Sequence, residues 1–213
     1  MPNSLARATD IGDKLHGIET LKLAGFPTPP TISLGSAPEG FPEFGVDSVI
    51  FRPSLTESFD AEAVQATSGL VDSLVVHRLD WPARQPAVRR IVETWPTIVQ
   101  PLISQSAGAI AHYWSAESTV RIAMAESTAR IAEGNDADVA GRLFLMDDRF
   151  TTGKRDIAPQ YVQLVEAVRG VASLFPRLPI NTCWELEMCL DPSGGITFLQ
   201  AQPSTALFMD GWV

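Results

Sequence analysis

Two carboxylates and two amides near the end of the chain are spaced so that they can converge. Glu185 and Glu187 alternate with apolar residues, as do Gln200 and Gln202, and Asp191-Pro192-Ser193-Gly194-Gly195 lies between the pairs. The flanking runs, Cys183 to Leu190 and Ile196 to Pro203, read as two strands, and strand side chains alternate between faces. Trp184, Leu186, Met188 and Leu190 then share one face. Cys183, Glu185, Glu187 and Cys189 share the other. In the second strand Leu199 and Ala201 fall on one face, and Phe198, Gln200 and Gln202 on the opposite one. A four-residue loop from Pro192 to Gly195 sets Leu190 opposite Thr197, Glu187 opposite Gln200 and Glu185 opposite Gln202. A slip of one residue would break the apolar and the polar sets together. Carboxylate and amide oxygens gathered on one patch make a candidate hard-cation site. The plain alternative is the solvated polar face of a terminal hairpin.

The elements that must hold this hairpin mix helices with mostly antiparallel strands. A helix is expected from Asp10 to Gly25, with Asp10 as its cap, a stripe of Ile11, Leu15, Ile18 and Leu21, and Gly25 as its stop. Leu23 lies off that stripe. Prolines 27, 29 and 30 exclude helix, so a strand at Thr31 to Leu34 follows. Gly35 to Asp47 reads as loop, with Phe41 to Phe44 as a possible contact surface. Ser48 to Arg52 reads as a buried strand. A second helix is expected from Asp60, with Val64, Thr67, Val71, Leu74 and Val75 at helical spacing. Trp81 to Pro86 reads as loop, and Ala87 to Trp95 as a short helix.

Thr97 to Ile103 is a strand interrupted by Pro101, which implies an edge or a point where pairing stops. Ala107 to Tyr113, Thr119 to Met124, Ala129 to Ala132 and Gly141 to Met146 suggest further strands. A helix from Asp156 to Phe175 carries Ile157, Tyr161, Leu164, Val165, Val168 and Ala172 on one face. Without βαβ regularity, the fold class is α+β.

Composition narrows the function classes. A chain of 213 residues buries a sizeable core as one domain or two small ones. The net charge of −9 argues against nucleic acid or an anionic membrane as the main partner, while leaving room for a local basic pocket. Cys183 and Cys189 sit on one strand, too far apart to bridge each other, as ordinary buried thiols of a reducing compartment do. Met1 to Arg7 has no apolar core of a secretory signal, and no apolar run approaches membrane-spanning length. The expected location is the cytoplasm.

Four segments, in order, resemble the nucleotide-binding domain of phosphoenolpyruvate synthase and pyruvate phosphate dikinase, a domain of ATP-grasp fold. Gly12-Asp13-Lys14, Leu21 and Ala24-Gly25-Phe26-Pro27-Thr28-Pro29-Pro30 resemble its G-G-K…N-L…a-G-f-p-V-P-p-G segment. Ile50-Phe51-Arg52-Pro53-Ser54-Leu55-Thr56-Glu57 is similar to V-R-S-S-A-T-x-E. Ile98 to Ile103 is similar to V-Q-x-M-V. Glu185-Leu186-Glu187-Met188 with Leu199-Gln200-Ala201-Gln202-Pro203 resembles D-I-E-W…l-Q-a-R-P.

The resemblance implies an ATP-grasp-like domain of two small lobes with antiparallel sheets and flanking helices, residues 1–104 carrying Lys14 and Arg52, and residues 105–213 ending in the Glu187/Gln200 hairpin. It implies ATP and Mg²⁺ as cofactors, phosphotransferase chemistry, and a partner protein as one source of the phosphoryl acceptor. Lys14 and Arg52 would contact phosphates, where a guanidinium can bind two oxygens at once. The alternatives are an exposed first-turn lysine and a strand-end ion pair. Gln100 and Leu102 lie on the strand whose backbone would read adenine. Glu187 and Gln200 would be magnesium ligands, with Glu185 in support.

The departures matter as much. Gln202 stands in the place of a catalytic arginine, and an amide cannot stabilise charge on a transferred phosphoryl group as a cation can. Ser58-Phe59-Asp60-Ala61-Glu62 lacks the glycine of a phosphate-covering loop, and Ala125 to Glu133 keeps at best a remnant of G-L-G-E. The second reading is therefore a catalytically degenerate binding or regulatory subunit. His16, His77 and His112 lie in no phosphohistidine-like setting and read as structural or surface residues.

Overall fold

The computed structural model describes residues 13–54, 73–103, 107–115, 119–125, 138–146, 149–152, 159–178, 182–191 and 193–205. The chain divides into two compact units. One holds residues 1–19 and 29–103, the other residues 20–28 and 104–213. The division is not a single cut, because Thr20–Thr28 belongs with the second unit. Among the described residues no helix is long and apolar enough to cross a membrane.

The first unit is built on an antiparallel sheet of β1 (Ile32–Leu34), β2 (Ser48–Pro53), β3 (Leu74–His77) and β4 (Thr97–Pro101), in the order β1-β4-β2-β3. Alternation along β2 sends Val49 and Phe51 to one face, where they pack with Val99, Val76, Phe41 and two residues of α2 (Trp81–Thr94), Trp81 and Val88. Trp81 stacks on Phe51 at 6.2 Å and meets Phe41 edge-on at 6.0 Å. The opposite face carries Ile98, which clusters with Leu15 and Ile18 of α1 (Asp13–Leu23).

The loop before β2 is pinned rather than offered for contact. Phe41 is buried. Arg78 lies 4.6 Å over its ring and forks onto Glu43 at 3.2 and 3.3 Å.

α1 ends where its glycine predicts. Gly25 has a φ of 85°, Phe26 N donates to Leu21 O at 3.0 Å and Gly25 N to Lys22 O at 3.0 Å, the paired bonds of a left-handed helix stop. Leu23, off the stripe, is 69% exposed. The expected Asp10 cap lies outside the described residues.

Two readings of the sequence are corrected in this unit. Leu74 and Val75 belong to strand β3, paired with Phe51 and Ile50, and not to a helix. A short apolar run fits either period, and β2 supplies the ladder that decides it. Trp81 to Pro86 is not loop but the first half of α2. Pro82 sits in the first turn, where the missing N–H has no helical partner anyway. Pro86 lies within the helix on its exposed side.

The second unit is an antiparallel sheet of β5 (Ala107–Trp114), β6 (Thr119–Ala125), β7 (Asp138–Met146), β8 (Arg149–Thr152), β9 (Thr182–Leu190) and β10 (Ile196–Thr205). Its order is β10-β9-β5-β6-β7-β8. α3 (Pro159–Ala172) covers one face. Leu164, Val165, Val168 and Val171 meet Trp184, Leu186 and Met188, Ala109 and Ala111, and Val120 and Ile122. Each fully buried aliphatic contributes roughly 1.5–3 kcal/mol.

Phe26 joins this core edge-on to Phe198 at 5.6 Å, and Phe198 N donates to Pro27 O at 2.9 Å. Gly170 gives Phe26 room, since a Cβ there would stand 3.1 Å from its ring. The expected strand at Ala129 to Ala132, the helical start before Pro159 and the Ser58 to Glu62 segment lie outside the described residues.

Candidate functional site

The β9–β10 turn is fixed by one side chain. Asp191 Oδ1 accepts from Ser193 N at 2.7 Å, Ser193 Oγ at 2.6 Å and Gly195 N at 3.0 Å. Gly194 takes a φ of 85°, and a Cβ on Gly195 would stand 2.5 Å from Asp191 Oδ2. Bonds from the Ser193 hydroxyl first, then from the Gly195 and Ser193 amides, hold the Asp191 carboxyl below its ordinary value. The charged form is therefore favoured on folding. Its contribution is complete above the ordinary aspartate pKa of about 3.9 and is lost as pH falls through the lowered folded value. Asp191→Ala is expected to lower stability at neutral pH and to flatten the acid limb of a urea-midpoint against pH curve below about pH 4. Parallel acid limbs for the two proteins would contradict this.

The turn shifts the ladder from the expected one. Ile196, not Thr197, pairs with Leu190, followed by Thr197 with Cys189 and Phe198 with Met188. The register then slips between Phe198 and Gln200, with Leu199 as the extra residue. A β-bulge sets two residues against one. The slip restores the pairs that matter: Gln200 opposite Glu187 and Gln202 opposite Glu185. It also moves Phe198, expected beside the amides, into the core with Ala201.

On the polar face the side chains meet. Gln200 Nε2 donates to Glu187 Oε1 at 3.2 Å, and Gln202 Nε2 to Glu185 Oε1 at 2.9 Å. β5 flanks β9 on the other side, with Ile110 opposite Glu187 and His112 opposite Glu185. His112 Nε2 lies 3.3 Å from Glu185 Oε2. Sequence reasoning missed His112 as part of this row. Its alternation with Ala109, Ala111 and Tyr113 marked a polar-face position, but the pairing of β5 with β9 is non-local.

Glu187 and Gln200 fit a magnesium ion in kind. They offer one carboxylate and one amide whose half-turn exchanges N for O. Mg²⁺ takes one or two protein carboxylates and completes its shell with phosphate oxygens and water. Among the described residues no group of three His, Cys, Asp or Glu could hold a metal by itself. Cys183 and Cys189 are free, and burial first, then the neighbouring Glu185 and Asp191 charges, push both thiols up. Inert thiols of this kind are poor metal ligands.

The other expected residues lie in the first unit. Lys14 is half-buried in the first turn of α1. Arg52 is buried on β2 opposite Ile98, on the face that Leu15 and Ile18 cover. Gln100 is 2% exposed, and its Nε2 donates to Thr31 Oγ1 at 3.0 Å. Leu102 N donates to Ser48 O at 3.0 Å, and its side chain is 40% exposed. Pairing stops on one side of this stretch, since β1 reaches only Val99, while β2 pairs on to Pro101.

Solved structures share the fold. The ADP complex of purK, an N5-carboxyaminoimidazole ribonucleotide synthetase, matches over 92% of this chain and 46% of its own, at 11% identity and a TM-score of 0.53. The L-amino acid ligase from Bacillus licheniformis matches over 92% of this chain and 41% of its own, at 14% identity and a TM-score of 0.51. Both are ATP-grasp enzymes. The fold is ATP-grasp-like. At such identities the likeness speaks for the fold alone, and the chain spans less than half the length of either protein. It supports an ATP-grasp domain and not the phosphoenolpyruvate synthase family in particular. No protein-family model and no curated protein matches the chain.

Proposed function

We propose that this ATP-grasp-like domain binds Mg-ATP and takes part in phosphoryl transfer of the phosphoenolpyruvate synthase type, to an acceptor carried by another molecule or a partner protein. The observation that carries the reading is the hairpin face, where Glu187 meets Gln200 and Glu185 meets Gln202 in one register. In this reading Glu187 and Gln200 would hold a magnesium ion, which would supply positive charge to offset that of the phosphates. Lys14 and Arg52 bind phosphates, the stretch from Gln100 to Leu102 lies along the adenine, and Gln202 occupies the catalytic position. Two structural neighbours are named a synthetase and a ligase, which keeps a ligase-type acceptor step beside a kinase-type one.

The second reading, a binding or regulatory subunit without turnover, is favoured by Gln202. Its amide donates to Glu185, and it brings no positive charge to the site. A thermal-shift titration separates the two. Mg-ATP at about 100 times its Kd is expected to stabilise the fold by about 2.7 kcal/mol, with EDTA removing most of the shift. No shift at millimolar Mg-ATP would overturn nucleotide binding itself. A shift without ATP consumption, unchanged when candidate acceptors are added, favours the non-catalytic subunit.

A further inference from the structure

We propose that the outward side of α2 is a docking surface for an acidic segment of a partner protein, with Arg89 and Arg90 binding its carboxylates. The proposal stands apart from the nucleotide site, which uses no residue of this helix. Packing sets the inward side of α2, where Trp81 and Val88 are buried in the core with Phe51. Gln85, Pro86, Arg89, Arg90 and Glu93 recur three or four positions apart, so they group on one side of the helix. They line a depression of about 310 Å³.

Local duties do not account for the two arginines. A cation in the last turn of a helix serves the macrodipole, but the last turn of α2 carries no basic residue. Glu93 stands four positions after Arg89 and three after Arg90, the spacing of a helical ion pair. Among the described residues neither arginine makes an ion pair, whereas Arg78, just ahead of the helix, is taken up by Glu43. Arg84, Arg89 and Arg90 are all exposed. The chain as a whole has 25 acidic residues against 16 basic ones, while α2 sets three arginines against one glutamate. A positive face on a negative protein attracts a negative partner.

The chemistry of the depression selects the occupant. A guanidinium fork matches a carboxylate through two parallel hydrogen bonds. Gln85 forms a fixed wall, because its Nε2 donates to Glu39 O at 3.1 Å in the loop before β2. Pro86 adds an exposed apolar surface. Glu93 on the same side repels a dense polyanion such as nucleic acid, as does the net charge of −9. A peptide with spaced carboxylates can meet both arginines and avoid it.

The test is fluorescence anisotropy with a labelled peptide of alternating glutamate and alanine, titrated with the full chain. The wild type is expected to bind it, with affinity falling as salt rises. Arg89→Ala combined with Arg90→Ala is expected to weaken the peptide about tenfold at an unchanged melting temperature, since both side chains are exposed. Arg84→Ala removes the same charge outside the depression and is expected to do less than Arg89→Ala alone. No binding by the wild type overturns the proposal. An effect of Arg84→Ala as large as that of Arg89→Ala overturns the site in favour of general charge attraction. A short single strand of DNA that binds as tightly as the peptide overturns the carboxylate occupant. Salt-sensitive self-association of the wild type in sedimentation velocity, lost in the double variant, assigns the face to a second copy instead.

Discussion

Glu187→Ala is expected to abolish the magnesium-dependent part of nucleotide stabilisation. For Mg-ATP at about 100 times its Kd the whole stabilisation is about 2.7 kcal/mol, most of it magnesium-dependent, so the melting curves of the variant with and without EDTA should superpose. The residue has the chemistry and the place. It lies on the polar face of β9, and Gln200 Nε2 donates to its Oε1 at 3.2 Å. Removing it also takes an acceptor from Gln200, which is 2% exposed, and loss of such a bond costs about 1–3 kcal/mol in the nucleotide-free protein. Glu187→Gln separates the effects, because an amide still accepts from Gln200 but carries no charge for a cation. Both variants should lose the metal-dependent shift, and only the alanine variant should melt markedly earlier without ligand. A full magnesium-dependent shift in Glu187→Gln would move the metal to other residues.

The site was legible in the sequence where its geometry is local. Glu185, Glu187, Gln200 and Gln202 pair as alternation predicts because one turn joins their strands. The route to that pairing was not legible. The Asp191 turn closes with Ile196 opposite Leu190, one residue off the expected ladder, and the bulge at Leu199 returns the missing residue. Its signal was present in the chemistry of Phe198: strict alternation put an aromatic ring on the polar face, and burying it requires a break in period before Gln200. His112 stayed hidden for a different reason. Its partner Glu185 lies 73 positions away, and no count along the chain fixes a register across such a gap. In the first unit Pro82 and Pro86 hid the first half of the helix Trp81–Thr94, so that Trp81, which stacks on Phe51 in the core, was read as loop while Val88 fell in the expected helix.

Trp184→Ala is expected to cost about 3–5 kcal/mol, a large share of the roughly 5–15 kcal/mol available to a domain. Trp184 is 1% exposed on the core face of β9, one residue from Glu185. Phe175 stacks on it at 4.5 Å with 29° between the rings, and its Nε1 donates to Pro176 O at 2.9 Å. That single side chain ties the segment after α3 to the strand that carries both glutamates. The same segment is tied to the residue that follows β5 by Leu178 N donating to Ser115 Oγ at 2.8 Å. Truncation leaves a cavity under a rigid sheet and takes the indole donor from the Pro176 carbonyl. Trp184→Phe keeps an aromatic contact for Phe175 and loses the donor, so its cost is expected to be nearer 1–3 kcal/mol. Urea unfolding monitored by circular dichroism reads both, with the slope unchanged if the unfolded state is the same. A cost for Trp184→Ala no larger than that of Trp184→Phe would mean that the hydrogen bond, and not the packed indole, holds the hairpin to its helix. In that case the polar row on the other face of β9 would owe its register to the Asp191 turn, the Leu199 bulge and the ladder with β5.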